Sequence, residues 1–263
     1  MYHGKTIGVV IPAHNEALSI RSVIHGLDNL DGLVDHTIVC ANACSDDTAQ
    51  IAAAAGATVV HEPKKGYGAA CLKAIAHLPE VDWVVFVDGD HAMRASDLPR
   101  LLDRLERGAQ LVIGSRTLGD AVGDVESGAM TPHQKFGNWL AAKLLTLLWR
   151  DSNQSPVTDL GPFRAIALAD LKTLKMQDRA YGWTVEMQAK ALVHRFRVDE
   201  IPVASLKRIG DSKVSGTWRG SIGAGIGILT TIARIGLPAV WAQLIQSINI
   251  ESLTKDSMWK KPS

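Results

Sequence analysis

Two aspartates follow a run of five apolar residues: Trp83-Val84-Val85-Phe86-Val87 leads into Asp88-Gly89-Asp90. Side chains at i and i+2 of an extended segment point the same way. A strand here would therefore carry both carboxylates to the carboxyl edge of a parallel sheet, where ligands of open α/β sheets bind. Like charges about 5 Å apart repel by about 3 kcal/mol at an effective dielectric of about 20, so the pair requires a cation. An all-oxygen donor set suits Mg²⁺ or Mn²⁺, shared with a diphosphate. The plainer alternative is a polar turn capping a strand. The fully apolar run in front of so short a motif favours the metal reading.

Three more polar clusters close apolar runs in the same way. They are Pro12-Ala13-His14-Asn15-Glu16, Asn42-Ala43-Cys44-Ser45-Asp46, and Glu62-Pro63-Lys64-Lys65-Gly66-Tyr67-Gly68. Each alone reads as ordinary capping. Together they outline a nucleotide-sized cleft, with carboxylate and amides for base and ribose, and Lys65 with the start of the next helix for phosphate. Dinucleotide binding is disfavoured, because no G-x-G-x-x-G follows the first strand. Neither a Walker A lysine nor a G-x-S-x-G elbow is present.

The elements that must position these clusters alternate. Strands are expected at Thr6–Ile11, Thr37–Ala41, Ala57–Val60, Trp83–Val87 and Leu111–Ile113, with helices at Ala17–Leu27, Ser45–Ala55, Gly66–Leu78 and Ser96–Leu105. Unalternated apolar strands separated by helices indicate an α/β protein, its mostly parallel sheet covered by helices on both faces. Residues 117–132 read as a loop. His133–Trp149 reads as an amphipathic helix whose stripe comprises Phe136, Trp139, Leu140, Leu144, Leu147 and Leu148. Strand-like pieces at Phe163–Ile166 and Arg197–Val203 flank a helix at Thr184–Val193, and residues 207–216 read as a loop.

With 263 residues, 46% hydrophobic and 21% charged, the chain is neither disordered nor a polytopic membrane protein. Twenty-eight basic against 27 acidic side chains give no case for nucleic-acid binding. The charge is uneven: residues 205–263 hold eight basic side chains and three acidic ones, which suits an anionic ligand or membrane surface. Cys40, Cys44 and Cys71 form neither a disulfide framework nor a zinc site, and no signal-peptide core is visible, so a cytoplasmic setting is expected. Residues 221–250 carry one charge, Arg234, and Pro238. A mid-span arginine costs roughly 2.5–3.5 kcal/mol on insertion scales. Two amphipathic helices on the protein or at a membrane interface are expected rather than a span.

The strings VVIPAHNE (9–16), NACSDDT (42–48), KKGYGAA (64–70), VDGD (87–90), GSR (114–116), TDLGPFRA (158–165), YGWTVEMQ (181–188) and RIGDSKVSG (208–216) occur in this order. In this the chain resembles family 2 glycosyltransferases of the GT-A fold, and is similar to the polyprenyl- or dolichyl-phosphate mannose and glucose synthase branch. The resemblance covers about residues 5–220. It implies a GT-A domain over 1–216, with a nucleotide-sugar half (1–115) and an acceptor half with a basic loop (116–216), followed by apolar helices (217–250) and a tail (251–263).

By matching position, the resemblance puts Pro12, Asn15 and Glu16 at the nucleotide and Asn42 and Asp46 near base and ribose, with Lys65 and Gly66 beside them. Asp88, with Gly89, would touch ribose or metal; Asp90 would ligate metal; Arg208 and Lys213 would clamp the diphosphate of a UDP- or GDP-hexose. The chain departs from the family pattern at Asn42 or Ala41, where aspartate is common, and at His91-Ala92-Met93, where Gln-His is usual. The branch's paired C-terminal membrane helices are not clearly matched.

The implied reaction is metal-dependent and inverting. Its acceptor would be a polyprenyl phosphate or another membrane-associated molecule; a soluble hydroxyl acceptor, or binding without catalysis, are the alternatives. Asp159 is the expected general base or acceptor-positioning group, with Glu186 in reserve. Arg116 and Arg164 would hold an acceptor phosphate or serve as structural ion-pair partners. The helix at 133–149 together with Trp218 and Trp241 would suit a membrane interface, core packing or a dimer surface equally.

Overall fold

The structure is a computed structural model, described here for residues 1–148, 156–210 and 225–236. Seven strands form one sheet: β1 (Ile7–Ala13), β2 (His36–Asn42), β3 (Thr58–Glu62), β4 (Trp83–Phe86), β5 (Leu111–Ser115), β6 (Arg164–Ala167) and β7 (Val198–Pro202). Their order is β3-β2-β1-β4-β6-β5-β7. All pairs are parallel except those of β6, which runs antiparallel to both β4 and β5. The strand order reverses between β1 and β4, so a crevice opens at their carboxyl ends.

The helices are α1 (Ile20–Asp28), α2 (Thr48–Ala54), α3 (Tyr67–Ile75), α4 (Leu98–Glu106), α5 (Arg116–Ala121), α6 (Pro132–Leu148), α7 (Leu168–Leu174) and α8 (Trp183–Val193), followed by α9 over 225–236. The central strands β1, β4 and β5 are buried on both faces and so read as nearly unbroken apolar runs, yet their side chains still alternate between two layers. Val9 and Ile11 of β1 pack toward α1, α2 and α4, while Val10 packs toward α3, α7 and α8. In α4, Leu98, Leu101, Leu102 and Leu105 recur at helical spacing and are all buried. A third cluster lies outside α8, where Ala141 and Leu145 of α6, Val185 and Ala189 of α8, Leu160 and Ile232 meet.

The alternating first half stands as expected, with boundaries shifted by a few residues. Helix α1 starts at Ile20 rather than Ala17, because residues 16–17 are tied to the loop after β2: Glu16 N donates to Thr48 Oγ1 (2.8 Å) and Ala17 N to Asp46 Oδ2 (3.2 Å). The expected loop at 117–132 instead begins with α5, whose first turn is capped by Ser115 Oγ accepting from Leu118 N (3.1 Å). The stripe assigned to α6 is split. The helix buries Ala141, Ala142 and Leu145, half-buries Leu140, Leu144 and Leu148, and exposes Phe136, Trp139 and Leu147. Small alanines let the backbone approach α8, and that contact rotates the bulky residues outward. Helix α7 and the reversal of β6 had no counterpart in the sequence reading. Among the described residues, no helix is long and apolar enough to cross a membrane. Lys213, Trp218, Trp241 and Pro238 lie outside the described residues.

Candidate active site

The crevice is a cleft of about 170 Å³ whose walls include Pro12, His14, Glu16, Asn42, Lys65, Gly66, Asp88, Gly89, Asp90 and Arg208. Strands β1 and β4 deliver its floor, and the turn after β4 is fixed from below by Ser19 Oγ donating to Gly89 O (2.7 Å). Three non-glycine residues next in sequence to cleft-lining ones, Asn15, Ala43 and His91, take left-handed backbone conformations (φ 56°, 48° and 63°). Such conformations gather where a surrounding structure over-determines the chain, as at ligand sites.

Asp88 and Asp90 line the same cleft, although β4 ends at Phe86 and residues 89–90 form a turn, so it is the turn and not an extended strand that brings them together. Asp88 accepts from the Tyr67 hydroxyl at 2.9 Å. Burial first, and then the charge of Asp90, push the Asp88 carboxyl up to about 7. Asp90 accepts from Ala92 N through Oδ1 (3.0 Å) and faces Arg208 Nη2 through Oδ2 (3.3 Å). Among the described residues, no group of three or more His, Cys, Asp or Glu converges on a metal position. A crowded pair of carboxylates with no further protein ligand fits an oxygen-loving divalent cation that completes its shell with substrate phosphates and water.

Other expected nucleotide residues shape the cleft from behind. Asn42 Nδ2 donates to Glu62 O (3.0 Å) and Lys64 O (2.8 Å), and its Oδ1 accepts from Gly66 N (2.8 Å). Its amide therefore straps down the loop that carries Lys65. Asn15 exchanges hydrogen bonds with Ser45 (Ser45 N to Oδ1, 2.8 Å), and Asp46 accepts from Ala17 N and Thr48. Burial would raise the Asp46 carboxyl, but the hydrogen bonds from Thr48 and Ala17 outweigh it and hold the group below its usual range. Neither Asn15 nor Asp46 lines the cleft; they hold the β1 and β2 loops together.

The start of α3 is not available for phosphate. Gly68 N donates to Ala180 O (3.1 Å) and Ala69 N to Arg179 O (2.9 Å), so the loop at 178–180 already takes its amides. A Cβ on Gly66 would lie 2.2 Å from Arg179 O, and one on Gly68 2.0 Å from Asp178 O. Glycine serves this corner by allowing backbone to meet backbone.

A second, larger cavity of about 350 Å³ runs between α6 and α9 and abuts the cleft. Met130, Leu140, Leu160, Ile228 and Leu229 give it an apolar wall, and Arg116 and Asp88 stand at its inner end. Tyr67, Asp88, Gln134 and Tyr181 line both spaces, so they share a wall.

Of the expected acceptor residues, only Arg116 reaches this cavity. Asp159 is fully buried and clamped by Arg116: Nε donates to Oδ2 (3.0 Å), Nη2 to Oδ1 (2.7 Å), and the backbone N to Oδ2 (2.6 Å). Of the two roles expected for Asp159, this geometry suits positioning and leaves no lone carboxylate to act as a base. Arg164 does not face an acceptor. It is 1% exposed and donates to Gly161 O, Leu160 O, Thr184 O and Gln188 Oε1, and burial brings its pKa down to about 10. Glu186 is equally enclosed, accepting from Gln177 N and Asp178 N and pairing with Lys190 at 2.8 Å. Both are corrected to structural roles, because their partners are backbone groups and neighbours within the fold.

The sequence reading did not single out Tyr67, Gln134, Tyr181 or Glu200 as site residues. Tyr67 and Tyr181 lie inside strings it had quoted. Glu200, whose carboxylate accepts from Thr158 N (3.0 Å) and Thr158 Oγ1, braces the segment before Asp159, and only the tertiary pairing of β7 beside β5 reveals it.

Comparison with known proteins bears on this geometry. The model of glycosyl transferase family 2 matches residues 8–171. An uncharacterised glycosyltransferase of Mycobacterium tuberculosis is 34% identical over 223 residues, covering 83% of this chain and 94% of that one. The dolichyl-phosphate hexose transferase of Haloferax volcanii is 26% identical over 211 residues, 79% of this chain and 86% of that one. Among solved structures, the Mycobacterium tuberculosis glucosyl-3-phosphoglycerate synthase in complex with Mn²⁺, UDP-glucose and phosphoglyceric acid superimposes with a TM-score of 0.67 at 25% identity, covering 88% of this chain and 80% of that one.

Proposed function

The chain belongs to glycosyl transferase family 2, and from that membership we propose that it moves a hexose, with inversion, from a nucleoside-diphosphate sugar in the polar cleft to a polyprenyl phosphate seated in the apolar cavity. One observation carries the reading: the two spaces meet at a wall that contains Asp88, with Arg116 at the inner end of the apolar one. UDP is the favoured nucleotide, since the structurally similar mycobacterial synthase was crystallised with UDP-glucose; GDP is the alternative.

In this reading Asp88 and Asp90 hold Mg²⁺ or Mn²⁺, whose charge on the departing diphosphate is the chemistry it supplies. Glu16, Lys65 and Arg208 border the nucleotide, and Lys65 and Arg208 meet its phosphates. Arg116, held rigid by Asp159, presents its guanidinium to the acceptor phosphate. A phosphate oxygen then forms the new bond to the sugar's anomeric carbon, while the old bond to the diphosphate breaks and its electron pair leaves with the nucleotide. Among the described residues lining the apolar cavity, the carboxylate is Asp88, which the cleft already uses. A hydroxyl acceptor would need a separate base; a phosphate is anionic beforehand and needs none. Exposed Phe136, Trp139 and Leu147 on α6, a helix with Lys135 and Lys143 and no acid, would rest the cavity on an anionic membrane surface.

A soluble phosphorylated acceptor is the second reading, favoured by the similarity to the phosphoglycerate-bound synthase, and Arg116 would serve it equally. The test is a panel of UDP- and GDP-hexoses with Mg²⁺ or Mn²⁺, read first by thermal shift and donor hydrolysis. Product formation is then measured with a polyprenyl phosphate in vesicles and with soluble phosphorylated hydroxy acids. Transfer to the lipid alone supports the first reading, and transfer to the soluble acids alone supports the second. A panel without donor binding rejects both.

A further inference from the structure

We infer that Arg208 is the resident counter-ion of Asp90, holding a cation's place there until a divalent metal displaces it and a diphosphate receives the freed guanidinium. The inference rests on the reading of the cleft as a metal and diphosphate site. It adds that metal and Arg208 compete for one atom.

That atom is Asp90 Oδ2. The other carboxylate oxygen, Oδ1, accepts from Ala92 N at 3.0 Å, which fixes the plane of the group. Oδ2 is left to face the cleft, and Arg208 Nη2 stands 3.3 Å from it. Asp88 Oδ1 is already engaged by the Tyr67 hydroxyl. A metal joining the two aspartates must therefore take Asp90 Oδ2, the position Arg208 covers.

The backbone around Arg208 shows how the exchange proceeds. Leu206 N donates to Ala92 O (2.9 Å), and Ile209 N donates to Asp90 O (3.0 Å). Ser205 bridges both Met93 and Val125, and Lys207 N donates to Glu126 Oε2 (2.7 Å). Residues 205–209 are thus pinned to the turn that carries the aspartate. The exchange is a swing of one side chain over a fixed base, with no excursion of the backbone. The Arg208 side chain is 33% exposed and lines the same cleft as Lys65, so its swing carries it toward the space a diphosphate would fill.

Asp90 keeps a cationic partner through the exchange, a single positive charge giving way to a double one. A guanidinium leaves one carboxylate as a metal arrives, and its planar fork then matches the paired oxygens of a diphosphate. Metal alone must pay for the displaced ion pair, whereas metal with diphosphate gives the arginine a new partner. The two ligands should bind with positive coupling, and Arg208 should carry part of that coupling.

The test measures Mn²⁺ binding by electron paramagnetic resonance, with and without UDP, on the full chain and its variants. Arg208→Ala should bind Mn²⁺ alone roughly two- to fivefold more tightly than the parent, the range of a partly exposed ion pair. The same variant should bind Mn²⁺ with UDP more weakly than the parent. Arg208→Gln, which keeps most of the side chain's length without the charge, should move both values the same way and guards against local collapse. If both variants bind Mn²⁺ alone no better than the parent while Asp90→Asn removes binding, the placeholder role is overturned and the metal site stands. If the parent binds no Mn²⁺ even with UDP, the metal reading falls and this inference falls with it.

Discussion

The Tyr67 hydroxyl and Asp88 Oδ1 lie 2.9 Å apart in the wall between the polar cleft and the apolar cavity. The tyrosine comes from the first residue of α3 and the aspartate from just beyond β4, so the helix start orients the carboxylate. Tyr67→Phe removes the donor with almost no change in shape. It should lower kcat/KM for the donor sugar about tenfold, equivalent to about 1.4 kcal/mol, just under the roughly 1.5–3 kcal/mol of a hydrogen bond to a charged group. Steady-state kinetics with an unchanged circular dichroism spectrum would check this; unaltered turnover would mean that other contacts orient Asp88.

Asp90→Ala should abolish transfer and metal-dependent nucleotide binding. The fold should survive, because among the described residues the Asp90 side chain bonds to Ala92 N in its own turn and to the half-buried Arg208 across the cleft. Calorimetric titration of UDP with and without Mn²⁺ is the measurement. Retention of metal-dependent affinity would place the cation elsewhere.

Arg164→Met separates a structural arginine from an acceptor-binding one. The substitution removes the side-chain donor of the Gly161 and Leu160 carbonyls inside the protein, while the Thr184 carbonyl keeps its place in the hydrogen-bond ladder of α8. At about 1–3 kcal/mol for each buried group left unsatisfied, stability should fall by at least about 2 kcal/mol in urea denaturation. A stable variant with only a raised KM for acceptor would return Arg164 to the acceptor site.

Gly68→Ala would push a methyl group to within 2.0 Å of Asp178 O. Either the loop at 178–180 moves or α3 does, at a cost of about 1–3 kcal/mol. Because Tyr67 and Tyr181 flank this contact and line both cavities, donor affinity and thermal stability should drop together. Gly137→Ala is the control, since nothing stands within 4 Å of its added carbon.

The double variant Phe136→Ser/Trp139→Ser addresses the outward face of α6. The two rings lie 5.9 Å apart between centroids, tilted by 31°, and the residues are 62% and 53% exposed. Their loss should leave unfolding free energy within about 0.5 kcal/mol. Donor hydrolysis should be unchanged, while co-sedimentation with phosphatidylglycerol vesicles and transfer to a vesicle-borne acceptor should fall several-fold. Undiminished vesicle binding would remove this face from the membrane contact.

The polar cleft was legible in the sequence for a definite reason. Strands buried on both faces appear as uninterrupted apolar runs, and the polar strings that end them fall at one sheet edge through topology alone, so Asp88, Asp90, Glu16 and Lys65 could be grouped without coordinates, and all four line that cleft. The acceptor side was less legible because its residues are defined by partners. Asp159, Arg164 and Glu186 have the chemistry of a site, but Arg116, three carbonyls and Lys190 respectively absorb them, and no spacing records those pairings. Helix α6 failed in another way: its leucines and its alanines each mark a face, and only contact with α8 selects the alanines. The four residues of β6 are too few to reveal their direction.

That reversed strand has a practical consequence. Among the described residues, strand β6 is the one link between β4 and β5, and β5 pairs otherwise only with β7. A fragment cut at residue 115 would keep both cleft aspartates, yet β4 would end in a raw edge and β5 would have no neighbour. Such a fragment should self-associate rather than fold as a miniature nucleotide binder. Any attempt to graft the donor cleft onto another scaffold must bring residues 164–167 with it, drawn from well downstream.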